Sequence, residues 1–191
     1  MHASLVAGIF VGGGSTRMGG QPKGLLRAPS GETLVERWKS VLAELAIPCV
    51  LVGERAKDAY ASAGLEVLAD EHAADDLGPL GGLLALLGHA GDAAAIVVAC
   101  DMPFVSVELV RRLAHARTAA PAVAARREGR WEPFFARYDA KVVLPTALAH
   151  ARAHRGSLQA LLDAVGAEEL AMSDAEHAEL RDWDTPEDAA R

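Results

Sequence analysis

Short apolar runs alternate with helical patterns along the first half of the chain. The apolar runs predict strands over 4–11, 49–52, 65–68 and 95–100. Apolar residues at helical spacing and helix-start signals predict intervening helices that contain residues 34–45, 57–63, 80–87 and 107–113. Strands that are apolar on both faces and separated by helices are typical of a parallel sheet covered on both sides. The pattern therefore predicts an α/β fold, a three-layer α/β/α sandwich of Rossmann-like type with a mostly parallel sheet.

The second half of the chain is less regular. In chain order we expect a strand over 122–125, a charged turn over 126–130, a strand over 131–138, a helix over 141–154, a helix capped by Ser157 and closed by Gly166, and a last helix that starts at Thr185. No repeat, linker or low-complexity segment interrupts the 191 residues, so we expect a single domain over 1–191.

A glycine-rich stretch directly follows the first predicted strand. It reads Val11-Gly12-Gly13-Gly14-Ser15-Thr16-Arg17-Met18-Gly19-Gly20-Gln21-Pro22-Lys23-Gly24. Glycines let backbone N–H groups approach a ligand closely, and successive N–H groups in such turns form anion-binding concavities. Arg17 and Lys23 add positive charge and directed donors, so the stretch predicts a polyphosphate ligand. The Walker pattern fails because Lys23 precedes Gly24, and the dinucleotide pattern fails because Arg17 stands where glycine is required.

Acidic residues supply candidates for a metal site. Asp101 follows the fully apolar strand, so it is expected at the carboxyl edge of the sheet together with the glycine-rich stretch. A lone carboxylate at that edge suits Mg²⁺, which prefers carboxylate, water and phosphate oxygens. Asp70 ends the third predicted strand and is a candidate by the same logic. Asp182 and Asp184 precede the last predicted helix, where they cap that helix or one of them supplies a second metal ligand.

Charge and composition exclude several classes of protein. The net charge of −7 argues against general affinity for nucleic acid, which needs a basic footprint. No apolar run approaches the roughly 20 residues of a membrane span, and the first residues lack the pattern of a secretory signal, so we expect a cytoplasmic protein without a membrane partner. Cys49 and Cys100 fall in predicted core strands and are expected to be buried free thiols. His150 and His154 share a helix face without a third ligand, which favours a solvated face over a metal site.

Extended to Leu26, the glycine-rich stretch resembles the loop of nucleotidyltransferases that have the nucleotide-diphospho-sugar transferase fold. Within that group the chain is most similar to the molybdenum cofactor guanylyltransferase (MobA) family. Further points of similarity are Gly78-Pro79-Leu80-Gly81-Gly82, Cys100-Asp101-Met102-Pro103-Phe104, Glu132-Pro133-Phe134-Phe135-Ala136-Arg137-Tyr138 and Asp184-Thr185-Pro186-Glu187-Asp188. The resemblance covers essentially the whole chain.

The resemblance implies transfer of GMP from GTP to molybdenum-loaded molybdopterin, with release of pyrophosphate and with Mg²⁺ as cofactor. It implies a nucleotide-binding half over about 1–110 and an acceptor-binding half over about 111–191. It assigns catalysis to Arg17, Lys23 and Asp101, metal binding to Asp101 and Asp184, and nucleotide contacts to Val11, Gly12, Gly13, Gly14, Lys23, Asp70 and Asp101. GTP and molybdopterin are the implied partners, together with transient contact with molybdenum-insertion or molybdoenzyme-maturation proteins.

The chain departs from the family pattern at three places. The family usually opens its loop with Leu-Ala-Gly-Gly, and this chain has Val11-Gly12-Gly13-Gly14. Glu54 stands where the family often has asparagine. Asp182-Trp183-Asp184 replaces the usual Asn-x-Asn, and aspartate also occurs there in related cytidylyltransferases. A nucleotidyltransferase that uses CTP or a sugar-phosphate acceptor therefore stays open, as does a non-catalytic nucleotide-binding accessory protein.

The acceptor site is expected along the second half of the sheet edge. Arginines on turns mark that region at Arg126, Arg130 and the Arg155-Gly156-Ser157 turn.

Overall fold

A computed structural model of the chain describes residues 4–11, 22–28, 30–53, 60–69 and 77–183, which form one seven-stranded sheet. The strands are β1 (Leu5–Phe10), β2 (Cys49–Val52), β3 (Val67–Leu68), β4 (Ala94–Ala99), β5 (Ala122–Arg127), β6 (Arg130–Asp139) and β7 (Glu168–Glu169). Their spatial order is β3-β2-β1-β4-β6-β5-β7. Among these strands β6 runs antiparallel to both of its neighbours, and the other pairings are parallel.

The described residues also form six α-helices. These are α1 (Leu34–Glu44), α2 (Pro79–Ala90), α3 (Val107–Ala114), α4 (Ala140–Arg152), α5 (Leu158–Ala164) and α6 (Asp174–Glu179). Side-chain caps explain where most of them begin: the hydroxyls of Thr33, Ser106, Ser157 and Ser173 each accept a hydrogen bond from an N–H of the first turn. The predicted cap Ser157 is therefore confirmed. None of the helices in the described ranges is both long enough and apolar enough to cross a membrane.

Both faces of the sheet are covered, which confirms the predicted three-layer α/β/α architecture. Alternate residues of one strand enter separate cores: Ile9 packs in the cluster that contains α1 and α3, whereas Phe10 packs in the cluster that contains α2, α4 and α5. The central strands are buried on both faces, with Ile96 and Val97 of β4 fully inaccessible to solvent. This burial accounts for the continuous apolar runs in the sequence.

The β5–β6 hairpin shows that the predicted charged turn over 126–130 is wrong in extent. The turn consists of Glu128 and Gly129, both with positive φ, and the strands include the flanking arginines. The guanidinium of Arg126 lies 4.4 Å from the ring centroid of Trp131. This stacking and the pairing of residues 126 and 127 with 131 and 130 keep the charged residues in the two strands.

Farther along the same hairpin, β6 contains a bulge. One step along β5, from Ala124 to Ala125, corresponds to a change of partner from Ala136 to Glu132 on β6. The intervening residues 133–135 thus have no partner on β5, although Phe135 pairs with Val98 of β4. Bulges change the direction in which side chains point and are common beside active sites.

Several other elements differ from expectation. β7 and α6 were not predicted. Of the short helix expected over 57–63, residues 60–63 lie in the described part of the chain, where Ala61–Ala63 form a 3₁₀ turn that ends at Gly64 with φ of 63°. The helix expected from Thr185 lies outside the described residues.

Two glycines of α2 give a matched test of the close contact between this helix and the sheet. A Cβ at Gly82 would lie 2.9 Å from Cγ1 of Val52 and 3.0 Å from Cε1 of Phe10, whereas a Cβ at Gly88 meets no atom within 4 Å. Gly88→Ala should stabilise the protein by up to about 1 kcal/mol through helix propensity. Gly82→Ala gains the same propensity but overpacks the core, so it should be less stable than Gly88→Ala by about 1–3 kcal/mol. Urea unfolding of both variants measures this difference, and equal free energies of unfolding would contradict the tight packing.

Candidate active site

The carboxyl ends of β1 and β4 lie side by side at one edge of the sheet. The two strands pair in parallel from Leu5 with Ala94 to Phe10 with Ala99. The ladder continues beyond them, since the N–H of Cys100 donates to the carbonyl of Phe10 over 3.0 Å. Two predicted site residues, Val11 and Asp101, therefore leave the sheet at neighbouring positions, as expected for a ligand site in a parallel sheet.

The structure brings Lys23 and Asp101 into direct contact. Nζ of Lys23 donates to Oδ2 of Asp101 over 2.8 Å. The side chains are 24% and 17% exposed, so the pair is partly shielded yet still open to a ligand. Dissolved salt screens a partly buried ion pair less than a fully exposed one. The charges of Lys23 and Asp101 therefore act strongly on a ligand bound beside them.

Lys23 begins a 3₁₀ turn, Lys23–Leu25, that directly follows Pro22. The N–H groups of Leu25 and Leu26 donate to the carbonyls of Pro22 and Lys23, each over 3.0 Å. The N–H of Gly24 instead donates to the hydroxyl oxygen of Tyr60 over 3.0 Å. The turn that carries Lys23 is therefore anchored both internally and to a distant segment.

Asp101 is held from the other side by the C-terminal segment. The N–H of Trp183 donates to the carbonyl of Asp101 over 2.9 Å. The indole of Trp183 is buried and packs with Ala28 and Leu34, which follow the Lys23 turn in the chain. Trp183 thus contacts the segments that carry both members of the ion pair, a role that the sequence alone did not indicate.

The two cysteines are free, as predicted, and they differ in burial. Cys100 lies directly beneath the site and is buried, and burial raises the pKa of its thiol well above the ordinary value. Cys49 is only half-buried, so the expectation of full burial is wrong for this residue. Burial raises the pKa of Cys49 as well, which favours the protonated thiol at both positions.

Glu132, which the sequence indicates only as part of a motif, is a partly buried ionisable residue of this region. It lies next to the bulge of β6, and its carboxylate contacts Nε of Arg127 at 2.8 Å. Burial raises the pKa of Glu132, Arg127 opposes that shift, and the negative charge of Asp182 adds to it. The sequence signal for the bulge beside Glu132 is the proline of the Glu-Pro-Phe motif, because proline within a strand marks a bulge or an edge.

The residues expected to line the acceptor site differ in their contacts and in their exposure to solvent. Arg126 is engaged by Trp131 and also donates to the carbonyl of Gly129 over 2.9 Å. Arg130 and Arg155 are exposed, and the hydroxyl of Ser157 caps α5. At Gly156, a Cβ would lie 2.7 Å from the carbonyl oxygen of Leu77, so only glycine fits this close contact of two backbones. The presence of Arg126, Gly156 and Ser157 at these positions is therefore explained by their structural contacts.

Other predicted site residues lie outside the described part of the chain. They are Gly12, Gly13, Gly14, Arg17, Glu54, Asp70 and Asp184. Asp182 is described and exposed, and it lies close enough to Glu132 to affect the pKa of that carboxyl.

The donor set fits a hard divalent cation held jointly with a substrate. Within the described ranges, no three His, Cys, Asp or Glu side chains come together as a metal cluster. Mg²⁺ in phosphate-transferring enzymes is commonly bound by one or two carboxylates, with water and substrate phosphates completing the shell. The carboxylate of Asp101 beside the ammonium of Lys23 is a donor set that fits such a metal-bound polyphosphate.

Comparisons with known proteins show the family to which the chain belongs. A family model described as the MobA-like NTP transferase domain matches residues 7–171. The molybdenum cofactor guanylyltransferase of Serratia proteamaculans is 31% identical over 194 residues, covering 100% of this chain and 95% of the relative. The protein of the same name from Pseudomonas putida strain KT2440 is 34% identical, covering 94% of this chain and 92% of that relative.

Solved structures support the fold. Molybdopterin-guanine dinucleotide biosynthesis protein A from Archaeoglobus fulgidus has a TM-score of 0.78 at 23% identity, covering 97% of this chain and 95% of its own. A 4-diphosphocytidyl-2C-methyl-D-erythritol synthase has a TM-score of 0.66 at 13% identity, covering 100% and 96%. These likenesses confirm the predicted nucleotide-diphospho-sugar transferase fold. With the family model matching most of its length, the chain belongs to the MobA-like NTP transferase family.

Proposed function

We propose that this protein transfers GMP from GTP to molybdenum-loaded molybdopterin, releasing pyrophosphate and forming the guanine dinucleotide cofactor. The observation that carries the proposal is the Lys23–Asp101 contact at the carboxyl edge of β1 and β4, in a chain whose full-length relatives are named molybdenum cofactor guanylyltransferases. An ammonium and a carboxylate side by side suit a ligand with two charges of opposite sign, because the ammonium can bind phosphate and the carboxylate can bind a metal ion. The chain is accordingly a nucleotidyltransferase.

In this reaction a phosphate oxygen of the acceptor forms a bond to the α-phosphorus of GTP. The bond from that phosphorus to the oxygen bridging to the β-phosphate breaks, and pyrophosphate leaves with the electron pair. The acceptor phosphate is already an anion, so no strong general base is needed. The barrier lies in bringing two anions together and in stabilising the charge that develops on the transferred and leaving groups.

Lys23 acts on this barrier by donating to the phosphate oxygens, for which its mobile ammonium is suited. Asp101 would hold Mg²⁺, which supplies Lewis-acid stabilisation of phosphate charge when bound. The backbones that carry both side chains are anchored, since the N–H of Gly24 donates to Tyr60 and the carbonyl of Asp101 accepts from Trp183, so each side chain projects from a fixed point. Preorganised groups of this kind lower the barrier without having to reorganise during the reaction.

The remaining assignments complete the proposal from the family resemblance. Val11 and the glycines Gly12, Gly13 and Gly14 contact the guanine nucleotide, Arg17 assists Lys23, Asp70 contacts the nucleotide, and Asp184 joins Asp101 at the metal. Residues of about 111–191 bind the acceptor within one domain. Mg²⁺ as the specific metal, a cytoplasmic location, and transient contact with molybdenum-insertion or molybdoenzyme-maturation proteins belong to the same proposal, as does the lack of nucleic-acid and membrane partners.

CTP is the second candidate nucleotide because Asp182-Trp183-Asp184 departs from the family's asparagines. Thermal unfolding with Mg²⁺ and either GTP, CTP or ATP distinguishes the candidates. Guanylyl transfer predicts that GTP at about 100 times its Kd stabilises the protein by roughly 2.7 kcal/mol, because the nucleotide binds the folded state alone. CTP and ATP at the same concentration should have a much smaller effect. Protection by CTP without protection by GTP would reverse the assignment of the base.

Asp101→Asn tests the metal role by removing a charge at nearly constant shape. We expect the rate of pyrophosphate release to fall by at least about 100-fold, because the amide is a poor ligand for Mg²⁺. Asp92→Asn is the matched control: Asp92 makes an equally short 2.8 Å contact with Lys141, but those side chains are 86% and 75% exposed. Asp101 would be removed from the metal site if its variant kept near-normal turnover.

Lys23→Ala tests the phosphate role. Charged hydrogen bonds contribute about 1.5–3 kcal/mol, so the Kd for GTP with Mg²⁺ should rise by about 10-fold to 150-fold in calorimetric titration. Lys141→Ala removes the cation of the exposed pair and should leave the Kd unchanged. An unchanged affinity in Lys23→Ala would count against phosphate binding by this residue.

A further inference from the structure

Tyr60 is a buried polar side chain that the proposed reaction does not use. It is 2% exposed and packs in the core cluster that also contains Val35 of α1 and Cys100 at the end of β4. Its hydroxyl oxygen accepts the hydrogen bond from the N–H of Gly24 over 3.0 Å, and this contact is buried. Residue 60 therefore touches the turn of Lys23 from beneath the sheet edge.

The geometry of a 3₁₀ turn explains why Gly24 needs this acceptor. The first N–H groups of any helix have no carbonyl partner within the helix. Here the N–H groups of Leu25 and Leu26 are satisfied inside the turn, whereas that of Gly24 reaches Tyr60. A buried N–H without a partner is costly, so the phenol oxygen is an integral part of the turn.

Steric fit makes the same contact specific. A Cβ at Gly24 would lie 2.7 Å from Cγ2 of Val35, 2.8 Å from Oη of Tyr60 and 2.9 Å from its Cε1. Only a glycine lets the turn lie this close to the phenol and to α1. The backbone next to Lys23 is thus fixed at two atoms of Gly24: its N–H is hydrogen-bonded to Tyr60, and its Cα packs closely against Val35 and Tyr60.

We propose that Tyr60 is a positioning residue that sets the direction of Lys23 for phosphate binding. The peptide that carries the N–H of Gly24 also carries the carbonyl of Lys23, so its anchoring fixes the backbone from which the ammonium projects. The proposal rests on the phosphate role given to Lys23 above. Misplacing a catalytic group by about 1 Å can cost on the order of 100-fold in rate, so a fixed origin for this long side chain matters.

A positioning role suits Tyr60 better than proton transfer. Burial and the neighbouring Cys100 raise the pKa of its hydroxyl well above the ordinary value, and the hydrogen bond from Gly24 only partly opposes this. The phenol is therefore neutral at all physiological pH values and serves as an acceptor of constant charge.

Tyr60→Phe tests the proposal, with calorimetric titration of GTP and Mg²⁺ as the measurement. Loss of one buried hydrogen bond that orients Lys23 should raise the Kd by about fivefold to tenfold. Tyr138→Phe is the matched control, since Tyr138 is fully buried and its hydroxyl donates to the carbonyl of Pro133 over 3.2 Å on the other face of the sheet. It should lower the melting temperature but leave the Kd for GTP unchanged.

A double-mutant cycle with Lys23→Ala separates positioning from general support of the fold. If Tyr60 acts through Lys23, adding Tyr60→Phe to Lys23→Ala should change the Kd by less than about twofold. The same five- to tenfold loss in both backgrounds would overturn the proposal, as would an unchanged Kd in Tyr60→Phe alone. If Tyr60→Phe does not fold, Gly24→Ala replaces it in the cycle, because its Cβ forces the turn away from the phenol.

The nucleotide used in the cycle distinguishes failure of this inference from failure of the proposed function. A wild-type protein that binds CTP and not GTP refutes guanylyl specificity, and the cycle is then run with CTP, where coupling between Tyr60 and Lys23 still supports positioning. A folded wild-type protein that binds neither nucleotide refutes both.

Discussion

The parallel pairing of β1 with β4 is the constraint on which the site depends. It joins segments that are about ninety residues apart and brings their carboxyl ends to one edge, in a register that extends to Cys100. Because both strands are buried on both faces, helices must cover them on each side. α2 can lie close to β1 partly because Gly8 lacks a Cβ, which would otherwise lie 2.5 Å from Cδ2 of Leu86. Close packing of α2 on the sheet thus covers the strand that ends at Phe10, beside the strand that leads to Asp101.

Each member of the ion pair has its own anchor in another part of the chain. Tyr60 holds the turn that begins at Lys23, and the backbone of Trp183 holds Asp101. The indole of Trp183 also packs against Leu34 and Ala28, so the C-terminal segment joins the two anchored regions. In a protein of net charge −7, the attraction for an anionic substrate must come from such local placement of cations and metal rather than from the overall field.

The sequence could predict the sheet and the edge at which the site lies, because continuous apolar runs mark buried strands and Asp101 directly follows such a run. It could not predict the contact of Lys23 with Asp101. The spacing of residues along the chain does not show in which direction a side chain points or which residue of another loop it contacts. The turn expected over 126–130 is too long because charged residues also occur in strands: Arg126 stacks on Trp131 and pairs with it across the hairpin. β7 consists of Glu168 and Glu169 at the sheet edge, where no apolar alternation is required.

The contact of Lys23 with Asp101 also has a thermodynamic consequence for how ligands enter. The two charges compensate each other, so a lone cation must compete with the ammonium for the carboxylate, and a lone polyphosphate must compete with the carboxylate for the ammonium. A metal–nucleotide complex satisfies both at once, replacing one ion pair by two new ones. Metal and nucleotide are therefore expected to bind with positive linkage, each raising the affinity for the other by the same factor.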